Sequence, residues 1–212
     1  PGIAYNDTTT HTIHRNLAEE MVALDELPML NLEYFDLDQY ASQVTDDYLI
    51  DGRARELQAK GSRALFVFLG RGCPYHCFFC YRQLPGYRMY SDEKIEELLL
   101  YILKYNVHFI NIGDECLTAD KNRLKTFAQL AKKYDIYWKI AGGRVDHVSD
   151  ELLAFLRAHN CVTIQYGVES FDPDMLKAMN KRTTAGQNIA ALNATYRHDI
   201  NTTLQLIIGS PG

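Results

Sequence analysis

The chain has 212 residues, 47% of them apolar and 23% charged, which allows one core-bearing domain with an appendage and excludes general disorder. Its 22 lysines and arginines are outnumbered by 27 acids, a formal net charge of −5, so a dedicated nucleic-acid-binding module is not expected. The longest apolar runs, such as Ala64 to Leu69, are about a third of what a membrane span needs. The first residues carry no secretory pattern, and a cytoplasmic protein is the expectation.

Residues 1–60 lack sustained periodicity. Thr8-Thr9-Thr10 and Asp46-Asp47 read as turns, and Pro28 breaks any helix. The segment reads as an arm or linker packed on a neighbouring domain. From Ala64 onward, apolar runs at 64–69, 107–112, 136–141, 161–168 and 202–208 alternate with amphipathic helical patterns. That alternation is the signature of repeated βα units around a parallel sheet.

Ser91 caps the first helix, with Asp92 and Glu93 in its first turn and a stripe of Ile95, Leu98, Leu99, Ile102 and Leu103. Leu124, Phe127, Ala128 and Ala131 share one face of the second. Ser149 caps the third and Asp172 the fourth, where Pro173 takes the first position. Thr184 caps the fifth, whose inward stripe is expected at Ile189, Leu192 and Tyr196. Both ends read as cuts: the chain starts at Pro1 and stops in the turn Gly209-Ser210-Pro211-Gly212, which normally leads into another element. In such folds the functional loops lie at the C-terminal ends of the strands, and the unusual residues of this chain collect there.

Five cysteines are few and odd in number for a disulfide framework. Cys73, Cys77 and Cys80 follow the first strand run at C-x3-C-x2-C spacing, which reads as one metal site in a reduced compartment. Thiolates suit zinc or an iron–sulfur cluster. A closed zinc site needs four ligands, and a four-iron cluster is normally held by four cysteines. Neither Cys116 nor Cys161 has a spacing that names it as the fourth, and Cys116 reads as a small core residue. On residues alone two readings stay open: a cluster with one open iron, or a zinc site completed by His76. Gly70 and Gly72 allow a tight turn into the loop, and Phe78 and Phe79 are expected to shield a cluster from water. Of the seven histidines, only His76 is expected near the chemistry.

An aromatic residue before the third cysteine of such a motif, at the end of a first strand, resembles the radical S-adenosylmethionine (radical SAM) superfamily. The resemblance runs from Ala64 to Gly212. It implies an α/β fold, a partial (βα)6-type barrel with about five βα units here and an irregular N-terminal arm. The sheet would be open on one side, with the edge after the fifth strand exposed or covered by the arm. The resemblance also implies that Cys73, Cys77 and Cys80 hold a [4Fe–4S] cluster, that SAM chelates the fourth iron, and that Phe79 lies near the adenine.

Other strand ends carry the resemblance further. Gly113-Asp114-Glu115 is similar to the family's Gly-Gly-Glu segment, which binds the SAM amino group. With Cys116 and Leu117 it is also similar to the Asp-Asp-x-Phe version of cobalamin-associated members. The structural alternative for both acids is a helix N-terminus. Arg144 and Asp146 resemble an Arg-x-Asp pair; Arg144 would bind the SAM carboxylate or form a structural salt bridge with Asp146. Gly167-Val168-Glu169-Ser170 resembles a segment whose acid, Glu169 here, contacts the ribose or methionine; the alternative is an internal helix cap. Met179 to Thr184 looks like the same subgroup, and so does Arg88-Met89-Tyr90-Ser91. Ile207 to Gly212 resembles a turn that flanks the adenine, with Gly209 beside it.

Gly2-Ile3-Ala4-Tyr5 and Leu24-Asp25-Glu26-Leu27-Pro28 resemble the linker after a cobalamin-binding domain. Residues 1–60 would then be that linker, and 61–212 a radical SAM domain truncated at its C-terminal side. The resemblance implies reductive cleavage of SAM to a 5′-deoxyadenosyl radical and cobalamin-dependent methylation of an unactivated carbon. The implied cofactors are the cluster, SAM and cobalamin. The implied partners are a small-molecule substrate and a low-potential electron donor of the flavodoxin or ferredoxin type. Methylthiolation is the alternative reaction, and a zinc-stabilised domain without catalysis is the alternative of another class.

Overall fold

The computed structural model describes residues 4–16, 22–43, 53–81 and 86–210. The expected turn at Asp46-Asp47, residues 2–3 of the linker resemblance and Pro211-Gly212 lie outside them. The arm opens with an exposed antiparallel hairpin of β1 (Ala4–Asp7) and β2 (Thr12–Arg15). Asp7 Oδ1 holds its turn by accepting from the Thr9 and Thr10 amides at 2.8 and 3.2 Å, as a short acidic side chain does in an Asx turn.

After 3-10 turns at Leu24–Glu26 and Leu32–Tyr34 come α1 (Leu37–Tyr40), β3 (Ser42–Gln43) and α2 (Arg53–Ala59). Leu24, Leu32 and Leu37 are buried. The Leu32 amide donates to Tyr101 Oη at 2.9 Å, and Asp25 Oδ1 accepts from the Ser91 amide at 2.9 Å. Where a neighbouring domain is the expected support, residues 22–43 dock on this domain itself.

The main sheet contains β4 (Arg63–Val67) and, after the small ribbon β5 (Gly70–Arg71) with β6 (Arg88–Met89), four further strands. The remaining elements in chain order are α3 (Asp92–Leu103), β7 (Val107–Ile112), α4 (Lys121–Lys133), β8 (Tyr137–Gly143), α5 (Asp150–Ala158), β9 (Cys161–Glu169), α6 (Pro173–Ala178), α7 (Ala185–Arg197) and β10 (Asn201–Leu206). The strand order is β10-β9-β8-β7-β4-β3, with every neighbouring pair parallel except β3–β4. The five parallel strands coincide with the five apolar runs to within two residues at each end.

Strands that follow one another in chain order, joined by right-handed crossovers, gather their helices on one face. One core cluster joins Val67, Ile110, Ile112, Trp138, Ile140, Ile164 and Tyr166 to the apolar faces of α3, α4, α5 and α7. On the other face Ala64, Phe109 and Val162 pack with Leu57 of α2 near the N-terminal strand ends. Beyond them that face turns aromatic and polar: Phe66, Asn111 and Lys139 stand side by side in register.

The arm covers the edge opposite to one expectation. β3 caps Arg63 and Ala64 at the β4 edge. β10 has no second neighbour among the described residues and is exposed along most of its length. The cap residues Ser91, Ser149, Asp172 and Thr184 all accept the expected backbone hydrogen bonds, and Thr184 forms a full capping box with Gln187.

Of the stripe expected for α7, Leu192 packs against the core and the other two residues do not. Asn188, Ala191, Ala194 and Thr195 face inward, while Ile189 is 52% and Tyr196 84% exposed. Two polar contacts set this face: Asn188 Nδ2 donates to the Ser170 carbonyl at 3.0 Å, and Thr195 Oγ1 lies 2.9 Å from Tyr166 Oη. The alanines between them let the helix approach the sheet. In urea unfolding, Leu124→Ala is expected to cost about 2–5 kcal/mol. Ile189→Ala is expected to stay within about 0.5 kcal/mol; equal costs would contradict the observed face of α7.

Candidate functional site at the C-terminal strand ends

The cysteine loop is launched by a buried carboxylate. Asp114 Oδ1 accepts from the Leu69 amide at 2.8 Å, and Oδ2 accepts from Tyr87 Oη at 2.6 Å. Burial pushes this carboxyl up, and these hydrogen bonds work against the rise. Asp114 therefore holds the chain between β4 and β5. Beside it, Gly113 lies against the Phe66 ring, where a Cβ would come within 2.1 Å of ring carbons. Glu115, next along, is exposed.

Beyond Gly72, Cys73 and Cys77 are half-buried and Cys80 is exposed. The loop is docked on the turn after α6: the Phe78 amide donates to the Met179 carbonyl at 2.9 Å, and Asn180 Nδ2 to the His76 carbonyl at 2.8 Å. Phe78 is 77% and Phe79 41% exposed.

Tyr75, between the first two cysteines, is gripped from two sides. The Arg144 guanidinium stacks on its ring at 3.6 Å, and its hydroxyl is hydrogen-bonded to His147 Nε2. His147 Nδ1 lies 2.9 Å from Thr118 Oγ1, and burial lowers the His147 pKa. His147 as well as His76 thus belongs to the site, through a Tyr75–His147 contact that spans 72 residues.

Buried Arg144 meets Asp146 through Nε and Nη2, both at 2.9 Å, and Nη2 also donates to the Lys181 carbonyl at 3.1 Å. Of the two roles open to it, the structural salt bridge is the one formed. Its charge also favours the Cys73 thiolate. The first cause there is a hydrogen bond from the Cys116 thiol, and together they bring Cys73 down to about 6 while Glu115 opposes them. Cys116 is 1% exposed and its own thiol is pushed up by that contact. Sequence spacing does not pair it with Cys73. Cys161 is wholly buried in β9, and burial pushes it up as well.

Glu169 ends β9 in the left-handed region at φ 64°, an uncommon and strained backbone for a residue with a side chain. Lys181 Nζ donates to Glu169 Oε1 at 2.9 Å, with both side chains 7% exposed. Gly167 makes room for the pair, since a Cβ there would lie 2.6 Å from Oε1 and 2.9 Å from Nζ. Lys181 Nζ also stands 5.7 Å from the centre of the Phe79 ring. Glu169 is thus an ion-pair partner and not a helix cap. The Ile207 amide donates to the Glu169 carbonyl at 3.0 Å, beside a register shift at Gln205/Leu206. Gly209 follows, exposed and with open space where a Cβ would be; its φ of 85°, and not crowding, is what calls for glycine there.

The structure brings Cys73, Cys77, Phe79, Glu115, Arg144 and Glu169 to one end of the sheet, with Tyr75, Cys116, His147 and Lys181 as residues that sequence reasoning missed. Among the described residues, no three His, Cys, Asp or Glu side chains converge on a point that could hold one metal ion. No helix among them is long and apolar enough to cross a membrane.

The radical SAM superfamily model matches residues 67–212. The chain is 27% identical over 194 residues to an uncharacterized methyltransferase of Pyrococcus horikoshii, covering 89% of this chain and 38% of that protein. It is 29% identical over 157 residues to the anaerobic magnesium-protoporphyrin IX monomethyl ester cyclase of Cereibacter sphaeroides, covering 70% of this chain and 26% of the cyclase. In fold it is similar to the cobalamin-dependent S-adenosylmethionine radical enzyme OxsB with aqua-cobalamin bound. That likeness has a TM-score of 0.73 at 24% identity and covers 98% of this chain and 29% of OxsB. The chain thus spans well under half the length of each of these relatives. With the cysteine loop at the end of a parallel sheet and a family match over more than half its residues, the chain belongs to the radical SAM superfamily.

Proposed function

We propose that Cys73, Cys77 and Cys80 hold a [4Fe–4S] cluster with one iron left to SAM, in a protein that carries out a cobalamin-dependent methylation of a small molecule. The observation that carries this reading is the cysteine loop itself: three soft donors on one segment, clamped by Arg144, His147 and the turn after α6. Such a donor set suits an iron–sulfur cluster. When bound, the cluster supplies a low-potential electron and an open coordination position for the amino-acid end of SAM.

The residues of the chain do the orienting. Arg144 lowers the electrostatic cost of gathering thiolates and fixes Tyr75, so we assign it to positioning the loop rather than to the SAM carboxylate. Asp114 fixes the start of the loop from below. Glu115, adjacent and exposed, is the carboxylate available to the SAM ammonium. Phe79 offers a ring face, and Gly209 a bare backbone, to the adenine. Glu169 is assigned to the ribose or methionine. A small-molecule substrate and a low-potential donor of the flavodoxin or ferredoxin type are the partners this chemistry needs.

Cobalamin enters through the likeness to OxsB, and methylation through the methyltransferase relative. A second reading, methylthiolation, has support in 26% identity over 170 residues to a putative methylthiotransferase of Methanocaldococcus jannaschii. Product analysis of the reduced full-length protein, with and without added cobalamin, separates the two: transfer of a methyl group alone, dependent on cobalamin, is expected.

Anaerobic reconstitution followed by iron, sulfide and zinc assays tests the centre. Cys77→Ala should abolish iron and sulfide binding, and Cys161→Ser should retain both. Zinc in place of iron would overturn the assignment.

Glu115→Ala should weaken SAM binding by about 1.5–3 kcal/mol, the range for a hydrogen bond to a charged group, with iron content unchanged. Equal affinity in calorimetry would remove Glu115 from the site.

Glu169→Ala leaves the Lys181 ammonium buried alone and should cost about 3–5 kcal/mol of stability. Adding Lys181→Met should recover most of it, because an apolar replacement of both partners removes the stranded charge. If the recovered double variant bound SAM like the wild type, Glu169 would be structural only.

A further inference from the structure

A cavity beside the open edge of β4 has no part in the chemistry proposed above. It measures about 440 Å³ and lies between residues 27–32 of the arm, β4 and α3, a size common among small-molecule sites. β3 pairs with β4 only at Arg63 and Ala64, so beyond them no strand covers that edge among the described residues. Leu65 and Val67 line the cavity from the helix-covered face of β4, and Phe66 and Phe68 from the other. The two rings meet edge to face at 5.2 Å. Leu98 closes the cavity from α3 and Met29 from the arm. Its charge is one-sided. Arg71 and Lys94 line it and, among the described residues, no acid does, although the chain carries a net charge of −5. Arg71 lies over the Phe68 ring at 4.8 Å and donates to the Gly70 carbonyl at 3.3 Å, and no carboxylate among the described residues pairs with it. Asp114, which feels its charge, is already engaged by the Leu69 amide and the Tyr87 hydroxyl. Lys94 has an i,i+3 pair with the exposed Glu97 at 3.0 Å, an interaction worth little in water.

We propose that this cavity binds an aliphatic carboxylate of medium chain length, with its head on Arg71 and its chain between Met29 and Leu98. Apolar walls alone would take any oily molecule. A guanidinium in the wall selects an anion, because its planar fork fits a carboxylate through two parallel hydrogen bonds. Apolar surroundings strengthen that attraction over its value in open water. Lys94 adds a second positive charge on the same side of the choice. The walls then discriminate by length, since each methylene taken out of water adds affinity until the cavity is full. Arg71 ends β5 and is followed by Gly72 and Cys73, so the bound head would stand at the foot of the cysteine loop. The binding site rests on the cavity and its charges, and does not depend on the cluster reading above.

The test is calorimetric titration of the full-length protein with decanoate, and with hexanoate, decanol and decyltrimethylammonium for comparison. Decanoate is expected to bind once per chain, with each of the others weaker by about tenfold or more, as the loss of a charged hydrogen bond or of several buried methylenes requires. Arg71→Gln should weaken decanoate by about tenfold or more and leave decanol unchanged, and Arg71→Lys should recover part of the loss. Lys94→Gln should have a smaller effect in the same direction. A decanoate carrying a diazirine at its tail should, on illumination, label the peptides that contain Met29 or Leu98. No saturable binding, as when another part of the full-length protein already fills the cavity, would overturn the proposal. Decanol bound as tightly as decanoate, or labelling confined to other peptides, would do the same. Should the Arg71 variants not fold, the comparison of decanoate with decanol and the labelled peptides decide. Iron and sulfide content, measured on the same samples, keeps the cluster reading separate: a protein that binds decanoate without iron retains this site and loses the cluster, and one that loads iron but ignores decanoate does the reverse.

Discussion

A buried guanidinium organises this end of the molecule. Arg144 sits where a bare charge would be costly, and the chain surrounds it. Asp146 takes one edge, the Lys181 carbonyl another, and the Tyr75 ring lies under its plane. Only arginine offers a fork and a flat face together. Each of these partners belongs to a different loop, so satisfying one cation ties the cysteine loop, the end of β8 and the turn after α6 into a single unit. The positions of Phe78 and Lys181 follow, because both are fixed through that same turn.

The sheet prepares this arrangement by dividing its two faces. One is sealed under four helices by large apolar side chains such as Trp138 and Phe127. The other is apolar only near the strand N-termini, where Leu57, Ala64, Phe109 and Val162 meet. Further along it carries Asn111 and Lys139 beside Phe66. Apolar burial and polar chemistry are thereby placed at opposite ends of the same strands, which lets the site be wet and charged while the core that supports it stays dry.

Much of this is legible in the sequence, and the limit has a physical cause. Strands and caps are local: period, Ser91, Ser149, Asp172 and Thr184 act within a few residues of themselves. The cysteine spacing is local as well. What cannot be read is contact at long range. Asp114 reaches back 45 residues to Leu69, and Asn180 reaches back 104 to His76. No spacing rule reports such pairs. The face of α7 escapes for a related reason. Apolar periodicity favours Ile189 and Tyr196, but hydrogen bonds from Asn188 and Thr195 to other elements decide the rotation. The docking of the arm depends likewise on Asp25 and Leu32 meeting residues of α3 and its cap.

The left-handed backbone at Glu169 restricts what evolution can write there. The position must satisfy two demands of different kinds. Its backbone has the handedness that glycine, asparagine and aspartate tolerate best, while its side chain must carry an anion far enough to meet the Lys181 ammonium. Glycine meets the first demand and fails the second, and aspartate falls one methylene short of the present reach. Branched side chains fail the first outright. Glutamate is the compromise, and it holds only while Gly167 stays without a side chain and Lys181 keeps its length. Positions 167, 169 and 181 are therefore one unit of inheritance: drift at any of them is blocked unless the other two change with it, and the Ile207 amide that hangs on the Glu169 carbonyl would register the change in the next strand.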